Sequence, residues 1–408
     1  MISSLYSGVQ GIQANSEALG VLGANIANVN TIGYKAGNMT FSTILGEALG
    51  DGGVKVWGMN KTWAQGAMEY TSNSTDLAII GAGLFVVKGS DGAEYYTRAG
   101  AFVFDKDGTL VNQDGYKVQG LAIASGTPSG SPTDIDISSL SYDPKSTSEM
   151  RMTMNLDSAT AASGTFTNTI SVYDSLGNMI PLTLTFTKSA DPANTWTVEG
   201  SLPSSIASGT GSVQFDGSDT LTLTFGPDGK LTGLSADIEI TLNNLTTGAS
   251  ATQSINWDVY DEANAIANSD ITQFAGSSGV TFQSQNGYST GSVTSLSVGE
   301  DGTVTGIFSN GKTQELYQLV LAGFPSYQGL TPLGNNLFAA SVESGLPVIG
   351  AAKTGGRGAI SSRSLEMSNV DLATEFVKMI TVQRAYQANA KVITTSNEVL
   401  QELINMKR

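Results

Sequence analysis

The sequence predicts a mainly β protein with paired N- and C-terminal α-helices, nested discontinuous β domains and a terminal coiled-coil domain. Three observations predict this fold class. Apolar residues recur at alternating steps of four and three at both ends of the chain. Short apolar and β-branched runs separated by glycine turns fill the middle. Glycine is also abundant, with 48 of 408 residues, or about 12% against a usual share of about 7%.

The N-terminal segment is predicted to be a helix with one apolar stripe. The stripe has heptad spacing with two small or polar interruptions, and it consists of Leu5, Val9, Ile12, Ser16, Leu19, Gly23 and Ile26. Glu17 is the only charged residue between Met1 and Gly33. Because a solvent-exposed helix usually carries more charge, we expect this helix to contact neighbours on several sides.

The C-terminal segment shows the same spacing over about five heptads. Its stripe consists of Leu372, Phe376, Met379, Gln383, Tyr386, Ala390, Ile393, Asn397, Leu400 and Ile404. Ser368 and Asp371 resemble a capping box in which Asp replaces Glu. The sequence therefore predicts a helix from this box to the chain end, of up to about 36 residues and roughly 54 Å.

Two arrangements of these helices fit the pattern. They form either a helical hairpin within one chain or a coiled-coil bundle between chains, and a two-helix hairpin would leave apolar surface exposed. In the second arrangement the large apolar members of both stripes form a self-assembly interface. Its candidate residues are Leu5, Val9, Ile12, Leu19, Ile26, Leu372, Phe376, Met379, Tyr386, Ile393, Leu400 and Ile404.

The middle of the chain is predicted to contain two nested β domains. Residues 76–104 hold short apolar runs between glycine turns, whereas alternating threonines begin near Thr165 and predict strands with one buried face. After about residue 285 the earlier pattern returns. The predicted parts are a terminal helical coiled-coil domain (1–30 with 366–408), a connecting segment (31–70 with 355–365), an inner β domain (71–145 with 285–354) and an inserted outer β domain (146–284).

One segment matches a nucleotide-binding motif by its letters. Residues 306–313, GIFSNGKT, fit the P-loop pattern, which requires a strand followed by a helix whose N-terminus holds phosphate. Here Asn310-Gly311 is a hairpin signal, and residues 315–319 alternate as a strand does. The sequence therefore predicts a β-hairpin at this position rather than a nucleotide site.

Other short motifs also favour structural interpretations. Asp105-Lys106-Asp107-Gly108 resembles the start of an EF-hand loop, but Leu110 and Tyr116 stand where that loop needs Gly and a carboxylate. A hairpin turn is therefore expected there, and a similar turn at Asp228-Gly229. Scattered Asp and Glu residues leave a glycosidase-type carboxylate pair open, although no spacing singles one out.

Composition excludes several functional classes. The chain has no Cys and no His, which excludes a Ser-His-Asp triad, a Cys nucleophile, a disulfide and Cys/His metal sites. Its net charge is −16, which disfavours binding to nucleic acid or to anionic membranes. No run of eighteen apolar residues and no ordinary cleavable signal peptide occurs. We expect no catalytic, cofactor-binding or metal site.

Both ends of the chain resemble the bacterial flagellar rod and hook family. Residues 24–35, ANIANVNTIGYK, are similar to its N-terminal signature, and residues 368–372 with 379–389, SNVDL and MITVQRAYQAN, are similar to its C-terminal signature. Residues 76–121 and 309–324 resemble its β domain. The length of the chain and the segment 172–178, VYDSLGN, resemble the hook members of this family more than its rod members.

The resemblance implies a structural role in the flagellum. A hook subunit would assemble with copies of itself into a curved tube that joins the rod to the filament and transmits torque as a universal joint. Its implied partners are the distal rod, the hook cap, the hook-filament junction proteins and the type III export apparatus. Export by that route to the extracellular hook would need no cleaved signal peptide. A rod subunit, a β-rich adhesin and an NTPase are the alternatives.

Overall fold

The computed structural model describes residues 2–44, 53–124, 126–138, 140–207, 213–261, 266–267 and 270–406. The chain divides into two compact units. Unit 1 comprises Met1–Leu140, Ser295–Ile307 and Thr313–Arg408, and unit 2 comprises Ser141–Thr294 and Phe308–Lys312. The four-part division drawn from the sequence remains a prediction.

Two helices occupy the ends of the chain, α1 (Ile2–Ala27) and α2 (Leu372–Met406). Before the insertion the strands are β1 (Gly37–Ile44), β2 (Gly53–Lys61), β3 (Met68–Tyr70), β4 (Leu77–Ile80), β5 (Leu84–Lys88), β6 (Glu94–Thr97), β7 (Phe102–Phe104), β8 (Leu110–Asn112), β9 (Lys117–Ala124) and β10 (Thr127–Asp134). Next in the chain come β11 (Ser141–Tyr142), β12 (Glu149–Asn155), β13 (Thr165–Tyr173), β14 (Met179–Lys188), β15 (Thr195–Ser201), β16 (Val213–Phe215), β17 (Thr220–Phe225), β18 (Leu231–Thr232), β19 (Ile238–Leu242), β20 (Gln253–Trp257), β21 (Tyr260–Asp261), β22 (Ile266–Ala267), β23 (Ile271–Thr272) and β24 (Gly279–Gln285). The last strands are β25 (Gly291–Val298), β26 (Thr303–Phe308), β27 (Thr313–Gly323), β28 (Thr331–Gly334), β29 (Leu337–Ala339), β30 (Val348–Ala351), β31 (Ala359–Ser362) and β32 (Ser364–Glu366), with a 3-10 turn at Tyr327–Gly329.

The predicted terminal helices are confirmed, and they pack against each other within one chain. Contacts between α1 and α2 run in opposite directions along the two helices: Ser4 Oγ lies 3.4 Å from Ser396 Oγ, whereas Asn25 at the other end of α1 bonds Glu375. The helices are therefore antiparallel and form a hairpin, the first of the two predicted arrangements. The bundle between chains stays a prediction.

The predicted capping box at Ser368 and Asp371 is wrong in its position. The first helical residue is Leu372, so Asp371 itself is the N-cap. Its Oδ1 accepts the backbone N–H of Ala373 at 3.0 Å, and its Oδ2 accepts the hydroxyl of Thr374 at 2.6 Å, as in a helix cap. Asp caps a helix directly because its short carboxylate reaches the unpaired N–H groups of the first turn.

Unit 1 is built on one extended antiparallel sheet. Its central strands lie in the order β26-β27-β9-β5-β6-β29-β28, so three strands from the first half of the chain lie between strands from the second half. The buried residues of one of its clusters are Leu84, Val86, Tyr96, Val320, Ala322, Phe324, Leu330 and Phe338. Neither half of the chain could build this sheet alone, because β27 pairs with both β5 and β9.

Unit 2 contains two sheets that share one hydrophobic core. One has the order β16-β19-β20-β12-β23, with β24 also paired to β12, and the other has the order β13-β14-β15-β17-β18. The threonine alternation is confirmed in β14, where Leu182, Leu184 and Phe186 are fully buried between half-buried threonines. Trp196 and Trp257 fill the same core.

The P-loop-like segment is a β-hairpin, as predicted. β26 pairs with β27 in antiparallel register, and the turn is closed by the N–H of Phe308 on the carbonyl of Lys312 at 2.9 Å. Gly311 has φ +74°, a conformation that glycine adopts without strain. The segment that follows is a strand, so it offers no helix N-terminus for phosphate.

The two other predicted turns are also present. Asp105 closes the β7–β8 turn, because its Oδ1 accepts the N–H groups of Asp107 and Thr109. Gly229 lies between β17 and β18 with φ +76°. In the described part of the chain, no helix is long and apolar enough to cross a membrane.

Candidate assembly surface

The α1 face that packs against the rest of unit 1 consists mainly of small residues. The buried positions of this helix are Gly8, Gly11, Ala14, Ala18, Leu22 and Asn25. The predicted stripe lies next to this buried face rather than on it. Leu5, Ile12, Leu19 and Ile26 are half-buried, and Val9 is 48% exposed.

Two glycines set how closely the helices approach. A Cβ at Gly8 would lie 3.0 Å from Cγ1 of Ile393, and a Cβ at Gly11 would lie 2.5 Å from Nδ2 of Asn389. Real Cβ contacts are longer than this, so α2 lies almost directly on the α1 backbone. The sequence signal was the repeat of small residues at steps of three and four, which a search for large apolar residues misses.

The predicted α2 stripe is divided between two environments. Met379, Ile393 and Leu400 are half-buried on the side of the helix hairpin, whereas four residues of the stripe are exposed: Leu372, Phe376, Tyr386 and Ile404. The structure thus brings part of the stripe against α1 and leaves the rest open to solvent.

Large apolar side chains are concentrated on the first turns of α2. Phe376 is 49% exposed, Val377 65% and Ile380 53%, and Leu372 lies one turn before Phe376. We call Leu372, Phe376, Val377 and Ile380 the apolar patch. Residues at i, i+4, i+5 and i+8 share one helix face, so the patch is contiguous. A contiguous exposed apolar surface usually marks a binding site for another protein.

The N-terminal signature folds into a buried junction below the helices. Asn25 is fully buried, and its Nδ2 donates to the carbonyl of Gly37 at 2.8 Å and to Oε2 of Glu375 at 2.9 Å. Its Oδ1 accepts the N–H of Gly37 at 2.8 Å and the hydroxyl of Tyr34 at 3.2 Å. One amide therefore links α1, the segment after it and the first turn of α2.

The second part of the junction is a buried ion cluster. Glu366 accepts Lys35 Nζ on Oε1 at 2.7 Å and Arg98 Nε on Oε2 at 2.5 Å, and all three side chains are at most 6% exposed. The N–H of Gly66 also donates to Oε1, at 2.8 Å. The other Arg98 nitrogens donate to backbone carbonyls, among them that of Gly83 at 2.6 Å.

Burial and ion pairing act in opposite directions on this cluster. Burial by itself would raise the pKa of Glu366, but the charge of Arg98 and the hydrogen bond from Lys35 outweigh it and hold that pKa below its usual value. Burial lowers the pKa of Lys35, and its bond to Glu366 opposes that shift. The cluster is thus a charged unit whose members depend on one another.

Two further residues complete the junction. Asn369, in the C-terminal signature, accepts the N–H of Ala36 at 2.8 Å and donates to the carbonyls of Thr62 and Ala64. Gly33 has φ +70°, and a Cβ there would lie 2.5 Å from the backbone nitrogen of Ala99. We define the junction as Asn25, Gly33, Lys35, Arg98, Glu366, Asn369 and Glu375. The sequence identified both signatures by their resemblance to a family but did not indicate which contacts their residues make.

Among the residues that the structure describes, no group of three or more acidic residues is placed to hold a metal ion. What the geometry does provide is an exposed apolar patch on a helix pair that the junction fixes to unit 1.

Four family models match the chain. They are the flagellar basal body protein FlaE D2 domain at residues 145–288, the flagellar hook protein FlgE/F/G D1 domain at 78–153, the flagellar basal body rod FlgEFG protein C-terminal region at 361–406 and the flagella basal body rod protein at 5–35. Together they match both helical ends, part of unit 1 and most of unit 2.

Relatives match along the whole chain. The flagellar hook protein FlgE of Escherichia coli strain K12 is 34% identical over 419 residues, covering 98% of each chain. That of Borreliella burgdorferi is 34% identical over 450 residues, covering 100% of each. A crystal structure of the Helicobacter pylori flagellar hook protein FlgE2 covers 73% of this chain and 100% of its own, with 15% identity and a TM-score of 0.43.

Proposed function

The chain belongs to the flagellar hook protein family and is a structural subunit of the flagellar hook, and we propose that it polymerises through its two terminal helices. It is a structural protein and not an enzyme. The observation that carries the proposal is the apolar patch. Its side chains stay exposed on α2 although the opposite face of that helix already packs against α1.

The energetic argument favours burial of this patch between subunits. Burying a large apolar side chain fully contributes about 1.5–3 kcal/mol. Phe376, Val377 and Ile380 lie within five residues on one helix, so a neighbouring subunit that covers them gains several such contributions at once. The half-buried α1 stripe of Leu5, Ile12, Leu19 and Ile26 supplies a second apolar surface for such packing.

The junction supports this function by fixing the direction of the helix pair. Asn25 and Glu375 tie the two helices to each other at the point where they meet the β structure of unit 1, and Lys35 with Glu366 anchors the segments next to them. A rigid base lets one helix pair repeat the same contact in every subunit, which a helical polymer requires.

The wider role follows from the family. We propose that the polymer is the curved tube that joins rod to filament and acts as a universal joint. On this proposal the partners of the chain are copies of itself, the distal rod, the hook cap and the hook-filament junction proteins. The type III export apparatus would deliver it to the outside of the cell without a cleaved signal peptide.

The test is a charge placed in the patch. Ile380→Asp should abolish tube formation in polymerising conditions, because an unpaired carboxylate buried between subunits is costly. Gln387→Asp is the matched control, since Gln387 is an exposed polar residue two turns further along α2. Tubes are counted by electron microscopy, and circular dichroism verifies that both monomers keep their β structure. Normal tubes from Ile380→Asp would overturn the proposal.

A further inference from the structure

The turn of the P-loop-like hairpin belongs to unit 2, whereas most of both its strands belongs to unit 1. The chain therefore enters unit 2 twice, once for Ser141–Thr294 and again for the five residues Phe308–Lys312. Every contact described below lies inside unit 2. The fold rejects the nucleotide interpretation of this segment, and the helical assembly surface does not involve it. The return of residues 308–312 to unit 2 therefore needs another explanation.

Inside unit 2 the turn contacts the segment that leaves the insertion. Nδ2 of Asn310 donates to the carbonyl of Ser289 at 2.9 Å, and the N–H of Ser309 donates to the carbonyl of Ser292 at 2.9 Å. A Cβ at Gly291 would lie 2.7 Å from Cγ of Asn310, so only glycine allows this approach. The turn thus lies directly on the backbone that leaves the insertion.

Aromatic contacts extend this packing to the segment that enters the insertion. Lys312 Nζ lies 4.9 Å from the ring centre of Tyr288, and the rings of Tyr142 and Phe308 are 5.1 Å apart in an edge-to-face arrangement. Tyr142 also contacts Tyr288 at 5.3 Å. Phe308 is buried, with 2% of its surface exposed. The two ends are paired as well, since Lys145 and Tyr288 exchange backbone hydrogen bonds of 3.0 and 3.1 Å.

A second motif from the sequence packs against the same two ends. In the segment 172–178, fully buried Asp174 accepts the N–H groups of Leu176 and Asn178 and so closes a tight turn. Gly177 in this turn has φ +83°, and a Cβ there would lie 2.7 Å from Cβ of Pro144 and 3.1 Å from the nitrogen of Thr290. The turn therefore contacts both the entering and the leaving segment.

We infer that residues 308–312, together with the turn 174–178, form a clasp that keeps the two ends of the insertion closed. The clasp changes how the subunit carries force. Without it, two backbone segments connect the insertion to the rest of the chain; with it, β26 and β27 provide two more covalent paths into unit 2. The clasp itself does not depend on the proposed function, whereas its mechanical consequence, a stiffer subunit within the hook, rests on it.

Hydrogen exchange on the monomer tests the clasp. The reporters are the amides of Lys145 and Tyr288, which pair only while the ends are closed. Asn310→Ala should speed their exchange about tenfold, the effect expected when a partly buried hydrogen bond is lost next to a local opening. The amides of Val198 and Ile255 in the unit 2 core should not change. Lys230→Ala, a lysine in another turn of unit 2, is the control that should leave all four amides unaffected.

Gly177→Ala tests the other side of the clasp and should speed exchange at the same two amides. Unchanged exchange at Lys145 and Tyr288 in both Asn310→Ala and Gly177→Ala would overturn the clasp. If Gly177→Ala fails to fold, Asn310→Ala decides the matter, since it only truncates a side chain at a surface turn.

The mechanical consequence has its own measurement. Tubes assembled from Asn310→Ala should show a wider spread of curvature in electron micrographs than wild-type tubes. Faster exchange combined with an unchanged spread would retain the clasp and refute its effect on stiffness. Failure of the wild-type protein to form tubes would count against the proposed function alone, because the exchange result is obtained on monomers.

Discussion

The junction of unit 1 and the core of unit 2 hold their structures by different means. The junction fixes segments from opposite ends of the chain with buried polar and charged groups, of which Lys35, Arg98 and Glu366 form an ion cluster. The unit 2 core is apolar and is made from one nearly continuous stretch of chain. In an apolar core, the loss of stability grows with the side-chain volume that is removed. In a buried ion pair, removing either partner is strongly destabilising because it leaves the other charge unpaired.

Removing the shared carboxylate should have the largest effect. Glu366→Ala leaves Lys35 and Arg98 buried without a counter-charge, and breaking a buried pair in this way costs about 3–5 kcal/mol. We expect faster hydrogen exchange throughout unit 1, including the amide of Val86, and little change at Phe186 in unit 2. Glu343→Ala, at an exposed turn of unit 1, is the matched control. Equal protection in Glu366→Ala and the control would mean that the cluster contributes nothing.

Truncation in the other core should produce the reverse pattern. Leu184 is fully buried in unit 2, and Leu→Ala at such positions costs about 2–5 kcal/mol. Exchange should therefore accelerate at Phe186 and Val198, while Val86 in unit 1 keeps its protection. If Leu184→Ala weakened Val86 as much as Phe186, the contrast drawn between the two regions would fail.

The sequence predicted those parts of the molecule whose signal is periodic or local. The helices, the threonine-rich strands of unit 2 and the Asn310-Gly311 hairpin were all predicted, because spacing and turn chemistry act over a few residues. The predicted stripes themselves are only partly buried, since the helices approach each other at Gly8 and Gly11 instead. Small residues such as these carry little signal in a search for large apolar ones.

The junction could not be predicted from patterns of this kind. Glu366 lies 331 residues from Lys35 and 268 residues from Arg98 in the sequence. Nothing local distinguishes these three residues from surface charges. The clasp was missed for the same reason. Lys312 is exposed, as a turn lysine usually is, and nothing local in the sequence indicates that its Nζ lies over the ring of Tyr288. The N-cap was placed three residues early because Ser368 and Asp371 fit a local template.

Acid should weaken the junction. The pKa of Glu366 is lower in the folded protein than its ordinary value of 4.5, so the folded state binds the proton less readily than the unfolded state. The stabilisation is therefore complete above pH 4.5 and is lost as the pH falls through the lowered folded pKa. Exchange measured in steps from pH 6 to pH 3, corrected for intrinsic rates, should show Val86 losing protection. In Glu366→Gln this acid-dependent loss should be smaller. An identical pH profile in that variant would show that another group controls it.

The smallest effect should come from an ion pair of the same charges at the surface. Lys106 and Asp107 approach to 3.4 Å, but their side chains are 88% and 70% exposed, so water and salt screen the attraction and neither charge was desolvated on folding. Lys106→Ala should leave the melting temperature and the exchange of Val86 unchanged at low and at high salt. A loss of stability comparable to that of Glu366→Ala would show that an exposed ion pair stabilises the protein as much as a buried one. If Lys106→Ala leaves stability unchanged while Glu366→Ala lowers it strongly, the difference is due to burial. Both sites pair a cation with a carboxylate, and they differ in their access to water.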